Sequence, residues 1–188
     1  MAGVFQKAFG LMVPIVVAAI VGLSVTGTRA EVGVVPMDTE RQTALAGMQR
    51  LAGMELGSLE GRVVVVAFFA SWCPPCRPEF GHLNGLRKIY GADDLAILAI
   101  NVFEDFIEDA GNAARMRRFL GTTKPAFTVL AGEDDDRVTA TFGGVDRIPT
   151  VLVFDRAGKP AYQFIHAEGA TKTHATLDEL KAAVAPLF

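Results

Sequence analysis

Two cysteines separated by two residues are the groups of this chain best suited to chemistry. Cys73 and Cys76 are the only cysteines among its 188 residues. They follow an apolar, β-branched run and precede a segment in which apolar residues recur at helical spacing. A helix start supplies unpaired N–H groups and a partial positive charge, which favour thiolate over thiol. The pair therefore indicates disulfide exchange. A purely structural disulfide is disfavoured because so small a loop stabilises little by chain entropy.

The prolines around the pair modify this chemistry. Pro74 and Pro75 have no N–H, so two donors to a Cys73 thiolate are missing and the N–H of Cys76 remains. Pro78 fits only the first turn of a helix, which places the helix start at the dithiol. The missing donors argue against an extreme oxidant, whose thiolate must be strongly stabilised.

Apolar runs and helical patterns predict the elements that must position the pair. Continuous apolar runs and a turn at residues 155–158 predict strands at 63–69, 95–102, 126–130, 150–154 and 161–165. Helical spacing and a capping box at Thr176 and Glu179 predict helices after Cys76, around 115–120, at 137–142 and from Thr176 onward. Residues 31–49 read as a tether or irregular lead-in. The pattern predicts an α/β fold with a mixed sheet covered by helices on both faces.

Composition excludes several classes of protein. The net charge is −3, so there is no electrostatic footprint for nucleic acid. Two cysteines are too few for a disulfide scaffold, and the three histidines have no zinc-ligand spacing and are expected at the surface. The acidic run at 133–136 reads as a solvated loop and helix start, with a partner site as the alternative.

The N-terminal residues predict export of the rest of the chain. Residues 8–28 carry no charge and are flanked by Lys7 and Arg29. About 20 residues suffice to cross a bilayer, so this segment reads as a membrane anchor. It also reads as a signal peptide with a cleavage site at residues 28–30. We therefore expect residues 1–30 to be a signal peptide or anchor. The protein would be periplasmic or otherwise extracytoplasmic, and attached to the inner membrane if the segment stays uncleaved.

The stretch FFASWCPPCRPEF resembles the TlpA/ResA-like thiol–disulfide oxidoreductases of the thioredoxin superfamily. Ile148-Pro149-Thr150, which enters the apolar run VLVF, matches the cis-proline segment of that family. The resemblance implies a thioredoxin-like domain over residues 50–188 with an extra strand–helix insert. It also implies that the Cys73–Cys76 disulfide is itself the redox group and that no cofactor or metal is needed.

The resemblance also assigns catalytic roles. Cys73 is the attacking sulfur, and Cys76 resolves the mixed disulfide. Glu79 matches an acidic residue that this branch carries shortly after the second cysteine, where it would assist proton transfer. The alternative is an exposed first-turn carboxylate favoured by the helix dipole. Thioredoxin itself holds a buried aspartate at the strand position that is Ala67 here, which makes Glu79 the better candidate acid.

Five residues are predicted to bind the substrate: Trp72, Pro74, Pro75, Ile148 and Pro149. Pro149, if its peptide bond is cis, presents the backbone of Ile148 to an extended client peptide beside Cys73. Trp72 is expected to be a platform next to the thiol, with a purely core role as the alternative.

These residues predict an exported reductase of protein disulfides. The resemblance suggests clients in cytochrome c maturation or metal-site assembly, and a membrane electron donor for re-reduction. A thiol peroxidase of the peroxiredoxin branch is one alternative, although Ala70 stands where that branch has Thr or Ser. A copper chaperone is another, because thiolates bind Cu(I). Related copper carriers space their thiols by three residues and add a histidine, whereas the spacing here is two and His82 lies on the outgoing helix.

Overall fold

The computed structural model of the protein describes Gly33, residues 35–107 and residues 111–188. The predicted anchor or signal peptide, residues 1–30, lies outside these described residues. Within the described ranges, no helix has the length and apolar character needed to cross a membrane.

A six-stranded mixed sheet forms the centre of the fold. Its strands are β1 (Arg50–Ala52), β2 (Val63–Phe69), β3 (Leu95–Asn101), β4 (Thr128–Ala131), β5 (Thr150–Phe154) and β6 (Pro160–Ile165). Their order across the sheet is β1-β4-β3-β2-β5-β6. The three central neighbours β4, β3 and β2 run parallel, whereas the other neighbouring pairs are antiparallel. This arrangement confirms the predicted mixed α/β sheet.

Helices cover both faces of this sheet. They are α1 (Thr39–Ala46), α2 (Cys76–Ile89), α3 (Asn112–Thr123), α4 (Asp135–Thr141) and α5 (Leu177–Val184), with 3-10 turns at Glu104–Phe106 and Ala185–Leu187. Successive side chains of a strand point to opposite faces of the sheet, so β2 contributes residues to two hydrophobic cores, one on each face. Its odd-numbered residues pack with α2, α3 and α5 in the first core, and its even-numbered residues pack with α1 and α4 in the second core.

The predicted insert corresponds to α3 and β4, which lie between β3 and α4. β4 pairs in parallel with β3, so α3 is the crossover that such a pair requires. The predicted hairpin is also present: the Gly158 N–H donates to the Asp155 carbonyl at 2.9 Å, and β5 and β6 pair antiparallel on either side. At the last helix, Thr176 and Glu179 form the predicted capping box.

The prediction of an irregular segment was wrong for residues 39–46, which form α1. The helix is capped by Asp38, whose side chain accepts the Arg41 N–H. Met37 and Leu45 are buried in the second core, and the Met37 N–H donates to the Gly158 carbonyl at 2.7 Å. From Met37 onward this segment therefore packs against the sheet instead of forming a free tether.

Candidate active site

The dithiol lies where β2 leads into α2. Cys76 is the first residue of α2, and the two cysteines are joined as a disulfide with their Cα atoms 5.5 Å apart. Cys73 is 3% exposed and Cys76 is completely buried. An incoming group therefore reaches Cys73 before Cys76.

The start of α2 has few hydrogen-bond donors, as the prolines predict. Pro75 occupies the N-cap position, and no side chain caps the helix there. The Arg77 N–H is engaged by the Pro74 carbonyl at 3.3 Å. The N–H of Cys76 and the partial positive charge of the helix start are the features left to favour a thiolate.

The Ile148–Pro149 peptide bond is cis, as the resemblance implies. β5 pairs antiparallel with β2, and Thr150 lies opposite Phe68. Continuing this register places Pro149 beside Phe69, at the end of β2 that leads to the dithiol. The structure thus brings the two predicted segments to the same edge of the sheet. The Pro149 carbonyl accepts the His166 N–H at 3.0 Å, which fixes the segment to the end of β6.

Trp72 has contacts both with the core and with the surface. Its ring packs against the first core and is partly buried. Its indole Nε1–H donates to the Phe103 carbonyl at 2.7 Å, and its ring stacks on Phe106 with the centroids 5.3 Å apart. A purely core role does not describe this position, because Phe106 is 80% exposed.

Glu79 is completely buried, so the alternative of an exposed carboxylate was wrong. It follows Cys76 by three residues on α2, which places both side chains on one face of the helix. Glu79 Oε2 accepts the Ala175 N–H at 3.2 Å, and Oε1 has no hydrogen-bond partner within the described part of the chain. Burial raises the pKa of Glu79 to about 8. Ala67, at the strand position that is aspartate in thioredoxin, is also completely buried.

Two of the three histidines meet where the segment that binds Glu79 lies against α2. The His82 and His174 rings are stacked, with centroids 5.3 Å apart and planes at 13°. Burial lowers the pKa of His174, and the neighbouring His82 and Lys172 lower it further against the opposing effect of Glu179. The sequence predicts scattered surface histidines, and only the fold reveals this pair. Among the residues that the structure describes, no three His, Cys, Asp or Glu side chains are grouped so that they could hold a metal ion.

The sequence patterns did not predict a polar network that lies next to Trp72. The Glu104 carboxylate accepts the Ser71 N–H at 2.9 Å, the Ser71 hydroxyl and the Asn101 side-chain amide at 2.8 Å. The positions of these residues in the sequence could have indicated the network. Ser71 and Glu104 follow neighbouring parallel strands, and polar residues at such positions meet at one edge of a sheet. The network ties the segment after β3 to the segment that carries the dithiol.

A sheet of this topology, with a C-x-x-C pair after β2 and a cis-proline beside the end of that strand, defines a thioredoxin-like thiol–disulfide oxidoreductase. Comparison with known proteins places the chain within that class. The family described as Redoxin matches residues 40–182, and the chain belongs to this family.

Individual relatives agree with this assignment. The chain is 30% identical to the thioredoxin-like protein YneN of Bacillus subtilis over 149 residues, which cover 78% of this chain and 80% of YneN. It is 31% identical over 104 residues to the thiol-disulfide oxidoreductase ResA of Geobacillus thermodenitrificans, and this match spans 55% of either chain. A crystal structure described as a thiol:disulfide interchange protein DsbE from Chlorobium tepidum has a TM-score of 0.54 and 28% identity, covering 76% of this chain and 94% of that one. These similarities confirm the predicted relationship to ResA-like oxidoreductases.

Proposed function

We propose that the protein is an exported oxidoreductase that reduces disulfides in client proteins, with Cys73 as the attacking sulfur and Cys76 as the resolving sulfur. The observation that carries this assignment is the difference in exposure between the two cysteine residues. Cys73 retains 3% exposure and Cys76 retains none. A client disulfide can therefore approach Cys73, whereas Cys76 is placed to attack from within.

The reaction is two successive thiol–disulfide exchanges. The Cys73 thiolate attacks one sulfur of the client disulfide, the client S–S bond breaks, and the released client thiolate takes up a proton. The Cys76 thiolate then attacks the Cys73 sulfur of the mixed disulfide and releases the second client thiol. Two electrons and two protons pass to the client, and the Cys73–Cys76 disulfide is formed.

Glu79 is the acid–base group in this scheme. Its pKa of about 8 lies close to the ordinary value of about 8.5 for a thiol. A proton therefore moves between the buried carboxyl group and a thiol at little cost, which is the condition for efficient general acid–base catalysis. Cys76 is the thiol one helical turn away, so we assign to Glu79 the removal of the Cys76 proton during the resolving step.

The client would lie along the edge formed by the cis-proline segment and the dithiol loop. The Ile148 backbone, next to Pro149, is placed beside the end of β2 and is suited to pair with an extended peptide. Pro74 is exposed and Pro75 is partly exposed on the other side of the dithiol. Together with Trp72, these residues would contact the client around its reacting sulfur.

The wider setting follows from the sequence and from the TlpA/ResA-like resemblance. Residues 8–28 support export, with anchoring to the inner membrane if the segment is retained. Reduction outside the cytoplasm needs a supply of electrons, so a membrane donor would regenerate the dithiol. The resemblance favours clients in cytochrome c maturation or metal-site assembly.

A trapping experiment tests the assigned polarity. Changing Cys76 to Ser removes the resolving thiol, so mixed disulfides between Cys73 and client proteins should accumulate. The matched control is Cys73→Ser, which keeps Cys76 but should trap far less. Adducts that form in the Cys73→Ser variant and not in the Cys76→Ser variant would show that the polarity is reversed.

The direction of electron flow is tested by the reduction potential of the Cys73–Cys76 couple. A value near −270 mV, as in thioredoxin, supports a reductase, whereas a value near −120 mV belongs to an oxidant. Equilibration with glutathione or dithiothreitol buffers gives this value directly.

A further inference from the structure

We propose that Trp72 and Phe106 together form an aromatic shelf that selects clients with a large apolar or aromatic side chain close to the reacting cysteine and a basic residue next to it. This inference deepens the proposed function and rests on it, because it assigns the client specificity of the same dithiol.

The shelf contains a side chain that is unusually exposed for its apolar character. Phe106 is 80% exposed, the highest value among the large hydrophobic side chains of the described ranges, where Ile89 follows at 52% and Phe188 at 46%. One face of the Phe106 ring stacks on Trp72, with the planes at 28°. An exposed aromatic ring held against a second ring offers a large contact area at a small cost in side-chain entropy.

The backbone that carries Phe106 is held rigidly. The Phe103 carbonyl accepts both the Trp72 indole N–H at 2.7 Å and the Phe106 N–H at 3.2 Å. Phe103 itself has a φ of +56°, a left-handed conformation that is unfavourable for a residue with a Cβ. Its N–H is bound by Asp135 Oδ2 at 2.9 Å. Such strained and braced segments occur where a binding surface is fixed in advance.

The shelf is connected to the attacking sulfur. Trp72 directly precedes Cys73, so their Cα atoms lie about 3.8 Å apart. On the other side, the Glu104 carboxylate holds the backbone N–H of Ser71. An extended client advances about 3.3 Å per residue, so a side chain roughly two residues from the client cysteine would reach the rings.

Charge complementarity identifies the rest of the client segment. Asp135, which binds the Phe103 N–H, has a pKa raised by burial and by the nearby carboxylates of Asp105, Asp136 and Asp134. Asp105 directly precedes Phe106 in the chain and is exposed. The rim of the shelf therefore carries several carboxylates, which favour Lys or Arg in a bound peptide and disfavour Asp or Glu.

The test uses synthetic peptides that each contain one disulfide. One peptide carries Phe and Lys within two residues of the reacting cysteine, the second carries Gly and Ser at those positions, and the third carries Phe and Glu. Glutathione disulfide, which has no apolar or aromatic side chain to place on the shelf, is the small reference substrate. We expect the wild-type protein to reduce the Phe–Lys peptide about 10-fold faster than the Gly–Ser peptide, because an aromatic contact of this kind typically contributes enough binding free energy for such a factor. Replacing Lys by Glu should lower the rate, and added salt should diminish that effect.

Phe106→Ala should abolish the preference for the Phe–Lys peptide and leave reduction of glutathione disulfide unchanged. Phe106→Tyr keeps a ring and should retain the preference. The matched control is Phe188→Ala, which removes another exposed ring that stacks on an aromatic neighbour, Tyr90.

Two results would contradict the proposal that the aromatic shelf selects clients. One is equal wild-type rates for the Phe–Lys and Gly–Ser peptides, and the other is an unchanged preference in Phe106→Ala. Both leave the proposed function intact if glutathione disulfide is still reduced. A wild-type protein that reduces no disulfide at all would contradict the proposed function itself, and with it the proposal that the shelf selects clients.

Discussion

The Glu79 carboxyl group accepts the backbone N–H of Ala175, at 3.2 Å, although the two residues are 96 positions apart in the chain. This contact closes the segment before α5 over the first turn of α2, where Cys76 also lies. His174 precedes Ala175 and stacks on His82, one turn further along α2. The surroundings of the buried acid are thus assembled from two distant parts of the sequence.

The burial of Glu79 makes stability depend on pH. In the unfolded chain this carboxyl group ionises near pH 4.5, whereas in the folded protein its pKa is about 8. Between these values the unfolded state has released a proton that the folded state keeps. The folded state therefore loses stability as the pH rises through this window, by up to about 1.4 kcal/mol per pH unit.

Glu79→Gln should remove this contribution. Urea unfolding of the oxidised protein at pH 5, 6 and 7 should show a steeper decline in the free energy of unfolding for the wild type than for the variant. The exposed Glu133 provides the matched control, Glu133→Gln. Parallel pH curves for the wild type and Glu79→Gln would mean that the acid is ionised or hydrated in the folded state.

The same substitution should slow catalysis. Without a carboxyl group the Cys76 proton has no neighbouring acceptor of matched pKa, so reduction of a peptide disulfide at pH 7 should fall by about 10²-fold. The wild-type rate should include the titration of a group near pH 8, and Glu79→Gln should lose that component and keep only the pH dependence of the thiols. Stopped-flow kinetics from pH 6 to 9 measure both effects. A variant with the wild-type pH profile would assign the proton transfer to another group.

Local patterns predicted the elements that depend on neighbouring residues. The apolar run of β2 and the capping box at Thr176 are signals that a few adjacent residues carry, and both are present as predicted. The position of the dithiol at a strand end and helix start follows for the same reason. The irregular lead-in was wrong because α1 buries few residues and shows no apolar stripe, so its stability depends on packing against the sheet.

Contacts between distant segments could not be predicted from local patterns. The burial of Glu79 depends on the segment around Ala175, and the stacking of His82 depends on His174. The left-handed conformation of Phe103 is held by two hydrogen bonds: its carbonyl accepts the Trp72 indole N–H, and its N–H donates to Asp135. No residue type in that segment predicts this conformation. The sequence could therefore identify Glu79 as the candidate acid, but it could not predict the burial that raises its pKa.

The stacked histidines should loosen the segment over Glu79 in acid. The pKa of His174 is lowered in the folded protein, so its contribution to stability is present above pH 6.5 and is lost as the pH falls through its folded pKa. His82 and Lys172 disfavour the charged form of His174, whereas Glu179 favours it, so protonation of His174 should weaken its stacking on His82. The Ala175 amide, which binds Glu79, should then exchange its hydrogen faster.

His174→Phe keeps a stacked ring that cannot take up a proton, so it should preserve protection of the Ala175 amide at pH 5.5. His82→Phe also keeps a stacked ring and removes the unfavourable interaction of His82 with protonated His174, so it should likewise reduce the loss of protection. Hydrogen exchange followed by NMR, with variant and wild type at the same pH, measures the difference. Equal exchange rates in all three proteins would show that the pair does not control this segment.

The network around Glu104 should contribute to stability. Glu104→Ala leaves the N–H and hydroxyl of the buried Ser71 without their acceptor, and leaves the Asn101 amide with the Phe69 carbonyl alone. We expect a loss of about 2–3 kcal/mol in the free energy of unfolding, measured with urea. Asp105→Ala removes an exposed neighbour that accepts one hydrogen bond from Asn112 and should cost less than about 1 kcal/mol. Equal losses would argue that the network adds nothing beyond a surface contact.

Substitutions at two glycines with similar φ angles can separate the cost of backbone strain from the cost of losing a contact with Met37. Gly158 has a φ of +76° and Gly61 a φ of +69°. A Cβ added at Gly158 would lie 2.7 Å from the Met37 carbonyl oxygen, whereas one at Gly61 would meet nothing within 4 Å. Gly61→Ala should therefore cost only the left-handed strain, about 1 kcal/mol. Gly158→Ala should cost roughly 1–2 kcal/mol more, because it also displaces Met37 from its hydrogen bond.

Urea unfolding gives both values. Faster exchange of the Met37 amide in Gly158→Ala alone would locate the extra loss in this contact. Equal costs for the two variants would show that the contact between Met37 and Gly158 contributes no measurable stability.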